Sequence, residues 1–412
     1  LMKLGEILSV KHGWAFKGEY FAEDGEQSIL TPGNFFEKGG FKPNNGKERY
    51  YTGTYPKEYL CHKGDLIVAM TQQAEGLLGS TALVPENNKY LHNQRIGLIT
   101  CDEKRLNKLF AYYLFMTKSV REQLERSSSG TKVKHTSPEK IYDVEVEIPD
   151  VISQQKIANL LWSIDEKIAN NNAINDNLEQ QAKLLYNYWF IQFNFPDENG
   201  NPYHSSGGQL VWNKNLQQEI PQDWRSGNLY DIADYINGIA CQKYRPSDEE
   251  HSLPVVKIRE MNGGITNDTE RVSSTIPAKN IISSGDILFS WSASLEVIMW
   301  YGVDAGLNQH IFKVVPKSYF SSEYVYLQLS EYLIHFIKIA EARKTTMGHI
   351  TSEHLQDSHI ILPPANIIKN FSEYVRPIYQ MKKQIANETS ELIKLRDWLI
   401  PMLMNGQATI SD

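Results

Sequence analysis

Twice along this chain, short apolar runs broken by turns give way to a long helical pattern. From Ser153 to about Ile191 there is no Gly or Pro. Apolar positions there alternate four and three apart: Ile157, Leu161, Ile164, Ile168, then Leu178, Ala182, Leu185 and Trp189. That spacing predicts a helix with a heptad seam, and Ser153 is its expected N-cap. Moving every number up by 214 gives a second seam: Phe371, Val375, Ile378, Lys382, Ile385, Thr389, Leu392, Arg396, Leu399 and Leu403. Pro377 predicts a kink in this second helix, and Pro401 an end near it. Asn171, Asn175 and Thr389 gather near the middle of both seams, where buried polar groups can fix register and orientation at some cost in stability. Two arrangements fit the pattern: each helix packed on its own domain, or the two paired antiparallel.

The stretches before the helices also match. Lys63-Gly64-Asp65-Leu66-Ile67-Val68 corresponds to Ser284-Gly285-Asp286-Ile287-Leu288-Phe289, in each case a turn feeding a buried strand. Leu4-Gly5-Glu6-Ile7 with Gly13 and Ala15 corresponds to Leu229-Tyr230-Asp231-Ile232 with Gly238 and Ala240. Asn93-Gln94-Arg95-Ile96 corresponds to Asn308-Gln309-His310-Ile311, and His135–Ile141 to His349–Leu355. The offset falls from 225 through 221 and 215 to 214, as it does when loops differ in length between two copies of one fold. Lys104 to Leu124 and Ser322 to Ala342 have helical spacing, and Pro149 and Pro363 stop the closing strands. The stretch between Phe193 and Gly227 is rich in Pro, Gly, Asn and Ser and reads as a surface loop, with Trp212 and Trp224 as docking points.

Composition narrows the class. The 412 residues are 41% hydrophobic and 22% charged, a folded chain of two or three domains. No apolar run reaches membrane-spanning length, and the opening Leu1-Met2-Lys3-Leu4-Gly5 does not read as a signal peptide. Cys61, Cys101 and Cys241 lie far apart, which fits neither a disulfide framework nor a zinc site and favours a reducing cytoplasm. The net charge of −7 disfavours non-specific nucleic-acid binding, but residues 1–150 hold 20 basic and 20 acidic residues and are neutral. A DNA role would use a local basic surface or charge borrowed from a partner.

Catalytic motifs fail on inspection. Asn201-Pro202-Tyr203 lacks the second proline of a methyltransferase tetrad. Gly40 to Glu48 has one residue too many for a phosphate-binding loop, and Glu48 stands where a metal-binding hydroxyl belongs. Pro149-Asp150 with Asp165-Glu166-Lys167 has the letters of a nuclease motif, but the trio falls on a helix and reads as a solvated face. His349, His354 and His359 are five apart, whereas zinc helices use four. The chain reads as non-catalytic, with no metal or cofactor of its own.

What remains are loops carrying the same kinds of polar, basic and aromatic residues at matching places in both halves. In the first half these are Lys11, His12, Trp14 and Lys17, then Gln72 and Gln73, then Ser128, Thr131, Lys132, Lys134 and His135. In the second half they are Gln242, Lys243, Tyr244 and Arg245, then Ser292 and Ser294, then Arg343, Lys344, Thr345 and His349. Lys and Arg neutralise phosphates, while Gln, Arg and Ser/Thr can read base edges. Matching scaffolds with different loop chemistry suit two different half-sequences.

This doubled order resembles the specificity subunit of type I restriction–modification systems. The resemblance covers essentially the whole chain. It rests on the LGEI and LYDI openings, the KGDLIVAM and SGDILFSW strands, the NQRIG and NQHIF segments, and the TSPEKIYDVEVEIP and TSEHLQDSHIILP closings. The first copy has no counterpart of Pro221-Gln222-Asp223-Trp224.

The resemblance implies an α+β fold with a pseudo-twofold internal repeat: two similar mixed α/β target-recognition domains separated by a long antiparallel two-helix coiled coil. The domains would be residues 1–150 and 223–363, the spacer helices 151–193 and 364–407, and the linker 194–222. It further implies a cytoplasmic reader of double-stranded DNA at a bipartite, asymmetric site. Such a reader recruits two modification subunits, which carry S-adenosylmethionine, and restriction subunits, which use ATP and Mg²⁺. Two alternatives remain at this stage: the recognition subunit of a related two-chain restriction enzyme or methyltransferase, and a coiled-coil scaffold that binds no DNA.

Overall fold

A computed structural model describes the chain except residues 45, 73–75, 131–132, 248–250, 267, 293, 343–348 and 411–412, and the side chains of 340–342. The chain divides into two compact units, Leu1–Ile168 with Glu391–Asp412, and Ala169–Ser390.

Both units are built on the same sheet. In the first, the order is Leu8–His12, Ile96–Cys101, Leu66–Ala69, Thr81–Leu83; in the second it is Ala233–Asn237, Ile311–Pro316, Ile287–Ser290, Glu296–Met299. All neighbours in these two sheets are antiparallel. A smaller sheet in each unit contains one parallel pairing, Ile29 with Leu91 and Val256 with Leu307. The opening and closing segments also pair in each, Met2 with Val146 and Gly227 with Ile360.

The repeated Gly-Asp pair has the same job twice. Gly64 and Gly285 take φ of +83° and +108°, a region that side chains disfavour. The following aspartate accepts a backbone N–H three residues back: Asp65 from His62 at 2.8 Å, and Asp286 from Ser283 at 2.7 Å. This turn aims Leu66–Ala69 and Ile287–Ser290, every residue buried, through the centre of each core.

The two long helices are Val151–Tyr186, extended by a π-helical turn Asn187–Ile191, and Ala365–Met404. Each unit holds part of both, and in each part they pair antiparallel. In the first unit Ile157, Ala158 and Leu161 share a core with Leu403 and Met404. In the second, Asn171 meets Glu388 while Glu179 meets Lys382, and Ala182, Tyr186 and Trp189 share a core with Phe371, Val375 and Tyr379. The seam read from spacing is therefore the buried stripe.

Several local expectations differ from the structure. The N-cap of the first long helix is Asp150, whose carboxylate accepts the N–H groups of Ile152 and Ser153 at 3.0 and 3.1 Å and the Ser153 hydroxyl at 2.7 Å. An acidic cap also faces the positive end of the helix dipole. The second long helix is continuous through Pro377 and ends at Met404, close to the end expected near Pro401. The expected helix from Lys104 to Leu124 is two helices, Lys108–Leu114 and Lys118–Ser127. Thr117 separates them by bonding the Leu114 carbonyl at 2.7 Å and capping Val120. The segment expected as a surface loop contains a hairpin, Leu210–Asn213 with Gln218–Pro221. It also sends Phe195, Ile220 and Trp224 into the second core, so that of the two tryptophans Trp212 alone is exposed. Aromatic residues there offset the turn-rich composition.

Candidate nucleic-acid interface

Backbone hydrogen bonds bring four separate segments together at the end of the central sheet in the first unit. The Trp14 N–H donates to the His92 carbonyl at 2.8 Å, and Gln94 N–H returns to the Trp14 carbonyl at 3.2 Å. Met70 N–H donates to the Arg95 carbonyl at 3.0 Å, and Thr136 N–H donates to the Met70 carbonyl at 2.9 Å. Next to these bonds Thr71–Gln72 pairs with Lys134–His135, Gln72 opposite Lys134. The loop after Lys11, the Asn93–Arg95 segment, the end of the Gly-Asp strand and the loop before His135 thus form one continuous surface.

The second unit repeats three of these backbone bonds. Ile239 N–H donates to Leu307 at 2.9 Å, Trp291 N–H to His310 at 3.3 Å, and Ile350 N–H to Trp291 at 3.0 Å. The glycines at the crossing have no space for a side chain. A Cβ on Gly13 would lie 2.2 Å from the backbone of Asn93, and one on Gly238 would lie 2.1 Å from the Asn308 carbonyl oxygen. The two asparagines form the turn beneath, each accepting a backbone N–H two residues on, from Arg95 at 3.1 Å and His310 at 3.3 Å. These motifs recur because they hold this crossing in place.

The side chains on that frame do not all present free chemistry. Trp14 is 40% exposed and lies 5.5 Å from the Tyr59 ring, which also carries the Lys11 ammonium 4.3 Å from its centroid. Lys11 is paired with Glu58 at 3.3 Å. His12 and Lys17 are exposed. Lys134 is paired with Glu125. Ser128 bonds the Glu125 carbonyl at 2.6 Å, and the His135 ring lies 3.1 Å from the Thr71 hydroxyl. Gln72 is half-buried.

In the second unit Gln242, Lys243, Tyr244 and Arg245 are exposed at the short helix Cys241–Lys243. Ser292 is buried, 5% exposed. Ser294 is exposed, and its carbonyl accepts from Ser290. His349 is exposed with its ring 5.6 Å from Trp291. Gln73, Thr131, Lys132, Arg343, Lys344 and Thr345 lie outside the described residues.

Spacing did not reveal Lys47, Arg49 and Arg95. They line a cleft of about 450 Å³ beside Asn93. Arg95 stands within the repeated Asn-Gln motif, so its position was available in the sequence, but its role was not.

A family profile described as "Type I restriction modification DNA specificity domain" matches residues 1–180 and 221–395, one match per copy of the repeat. The chain belongs to this family. Among relatives, the MjaIX type I restriction enzyme specificity subunit of Methanocaldococcus jannaschii is 25% identical, over 74% of this chain and 69% of its own. The EcoBI specificity subunit of Escherichia coli is 21% identical, over 99% and 86%. The crystal structure of a type I restriction–modification S subunit from M. genitalium shares the fold: TM-score 0.56 at 15% identity, covering 99% of this chain and 96% of that one.

Membership makes the chain a DNA-recognition component that works with the other subunits of a type I system, and not a catalytic one. The acidic residues that spelled a nuclease motif have structural work instead. Asp150 caps a helix, and Asp165 binds Tyr113 and Arg396. Asp165 is thus not on a solvated face. No helix among the described residues is long and apolar enough to cross a membrane.

Proposed function

We propose that the chain reads a bipartite, asymmetric double-stranded DNA site, one half with residues 1–150 and the other with residues 223–363. The helices within 151–193 and 364–407 set the distance between the halves, and 194–222 connects them. It acts in the cytoplasm with two modification subunits, which carry S-adenosylmethionine, and with restriction subunits, which use ATP and Mg²⁺. The observation that carries this reading is the twofold occurrence of one backbone frame, Gly13 on Asn93 and Gly238 on Asn308, bearing different side chains. Identical frames present two surfaces in the same way, and different side chains read different bases. A net charge of −7 makes the isolated chain a weak DNA ligand, so tight binding belongs to the assembly.

The test is a methylome of cells expressing the system, before and after residues 1–150 are replaced by those of a relative. The expected result is a bipartite methylated motif in which one half changes and the other is retained. A change in both halves, or a continuous motif, would refute the assignment.

A further inference from the structure

The cleft of about 450 Å³ beside Asn93 is walled by Lys47, Arg49 and Arg95, with Gln94 between them and Phe16 and Phe21 on its apolar side. No carboxylate lines it among the described residues. All three cations are exposed, and among the described residues none has a carboxylate in ion-pair range. Several other cations of the first unit are matched: Lys11 with Glu58, Lys89 with Glu86, Lys134 with Glu125, and Arg121 with the carbonyls of Phe115, Gly76 and Leu78.

The backbones of the trio are fixed even though the side chains are free. Arg49 C=O accepts from Ile29 N–H at 2.7 Å, Arg95 C=O from Met70 N–H at 3.0 Å, and Lys47 N–H donates to Asn44 C=O at 3.2 Å. Three like charges held around a concave wall repel one another, and the cleft concentrates their field. An anionic ligand with several charges removes that repulsion. The second unit has no equivalent of Arg95: His310 stands there, its ring 5.6 Å from Trp291.

We propose that this cleft is the phosphate seat of the first recognition unit: Lys47, Arg49 and Arg95 hold phosphates of one DNA strand while Gln94 faces base edges. The proposal rests on the reading of residues 1–150 as a DNA-binding domain. It moves the electrostatic anchor from the loop around Lys134, which is paired with Glu125, to the cleft beside Asn93.

The test uses the full chain assembled with its modification subunits. Binding to a duplex carrying its methylated motif and to a random duplex is measured across a range of salt. Each lost phosphate contact lowers the slope of log affinity against log salt by about 0.9. Changing Lys47, Arg49 and Arg95 together to Ala should therefore lower it by about 2 to 3, and affinity for both duplexes should fall alike. Arg49→Lys with Arg95→Lys should keep most of the slope. Gln94→Ala should keep the slope and narrow the ratio between cognate and random DNA. Lys104→Ala, remote from the cleft lining, serves as control. A triple variant with the wild-type slope, or no steeper a loss than Lys104→Ala, overturns the proposal while leaving the DNA-binding reading in place. A wild-type assembly that binds neither duplex overturns that reading, and the proposal with it.

Discussion

Asp165 of the first long helix accepts a hydrogen bond of 2.9 Å from Arg396 of the second, and both side chains are about four-fifths buried. The same carboxylate accepts the Tyr113 hydroxyl at 2.6 Å. Arg396 also reaches Asp397 at 2.8 Å, and Lys38 reaches Asp397 at 3.1 Å. A chain of charges therefore ties both helices to the body of the first unit. Partly buried pairs are strongly missed when one partner is removed, because the other is left without compensation.

Arg396→Met should accordingly destabilise the first unit by about 2 kcal/mol, and Asp165→Asn by somewhat less, since Asp397 still compensates Arg396. In a double-mutant cycle followed by urea unfolding, the coupling between the two should be about 1 kcal/mol or more. Strict additivity would mean that the pair contributes only packing.

The seam of the second unit contains polar atoms that the fold leaves unmatched. Among the described residues, the Thr389 hydroxyl and the Asn175 side-chain oxygen are buried without a hydrogen-bond partner, whereas Asn171 donates to Glu388 at 2.8 Å. Thr389→Val keeps the shape and removes the orphan hydroxyl, and should stabilise by about 1 kcal/mol. Asn175→Leu should also stabilise. Asn171→Leu should not, because it removes a bond that is made. Thermal melts of the three variants separate these outcomes, and a Thr389→Val variant that melts lower would show that the hydroxyl is satisfied in solution.

Much of this was readable from periodicity, and the failures share a cause. Ile157, Leu161, Ala182 and Trp189 were legible because a heptad pattern encodes burial directly. The Gly-Asp turns were legible because Gly64 and Gly285 need a backbone that few residues tolerate. Asp165 was misread as solvated because nothing local shows that Tyr113 and Arg396 arrive from distant parts of the chain. The partner of Lys134 was not legible because Glu125 lies nine residues earlier on the helix Lys118–Ser127 and meets it only once that helix and the strand Lys134–His135 come together. Lys47 and Arg49 were missed because their counterparts carry different side chains: the Ile29 N–H to Arg49 carbonyl bond recurs as Val255 N–H to Glu270 carbonyl, so an acid stands where Arg49 does and comparison of the halves passed over the segment.

His92, directly before the crossing, predicts a pH dependence. Its ring is buried, and burial pulls its pKa down from 6.5 to about 4, against the opposing effect of its 2.8 Å hydrogen bond to the Ile96 carbonyl. Between these values the unfolded chain binds a proton that the folded chain does not, so stability rises with pH through this window and falls as pH drops through it. The contribution is on the order of 3 kcal/mol at neutral pH. Urea midpoints measured from pH 7 to pH 4 should fall more for wild type than for His92→Gln, which can keep a donor to Ile96. Parallel curves would place the pH dependence elsewhere.

The crossing itself gives the most selective prediction. A methyl group on Gly13 would meet the backbone carbon and oxygen of Asn93 at 2.2 Å, and one on Gly238 would meet those of Asn308 at 2.5 and 2.1 Å. Neither contact can be relieved by rotating a side chain, so in each case the loop must lift from the sheet end. Gly13→Ala should cost about 1–3 kcal/mol of stability, as overpacking does. It should also displace Trp14 and Lys17, which follow it. Gly18→Ala, with nothing within 4 Å, should change neither stability nor recognition and controls for loss of glycine in the same loop. In cells, the methylated motif written by the Gly13→Ala protein should be relaxed in one half only, and that of Gly238→Ala in the other half only. If either substitution blurred both halves equally, each crossing would be supporting the assembly as a whole instead of presenting one reading surface, and the division of the site between the two copies would have to be abandoned.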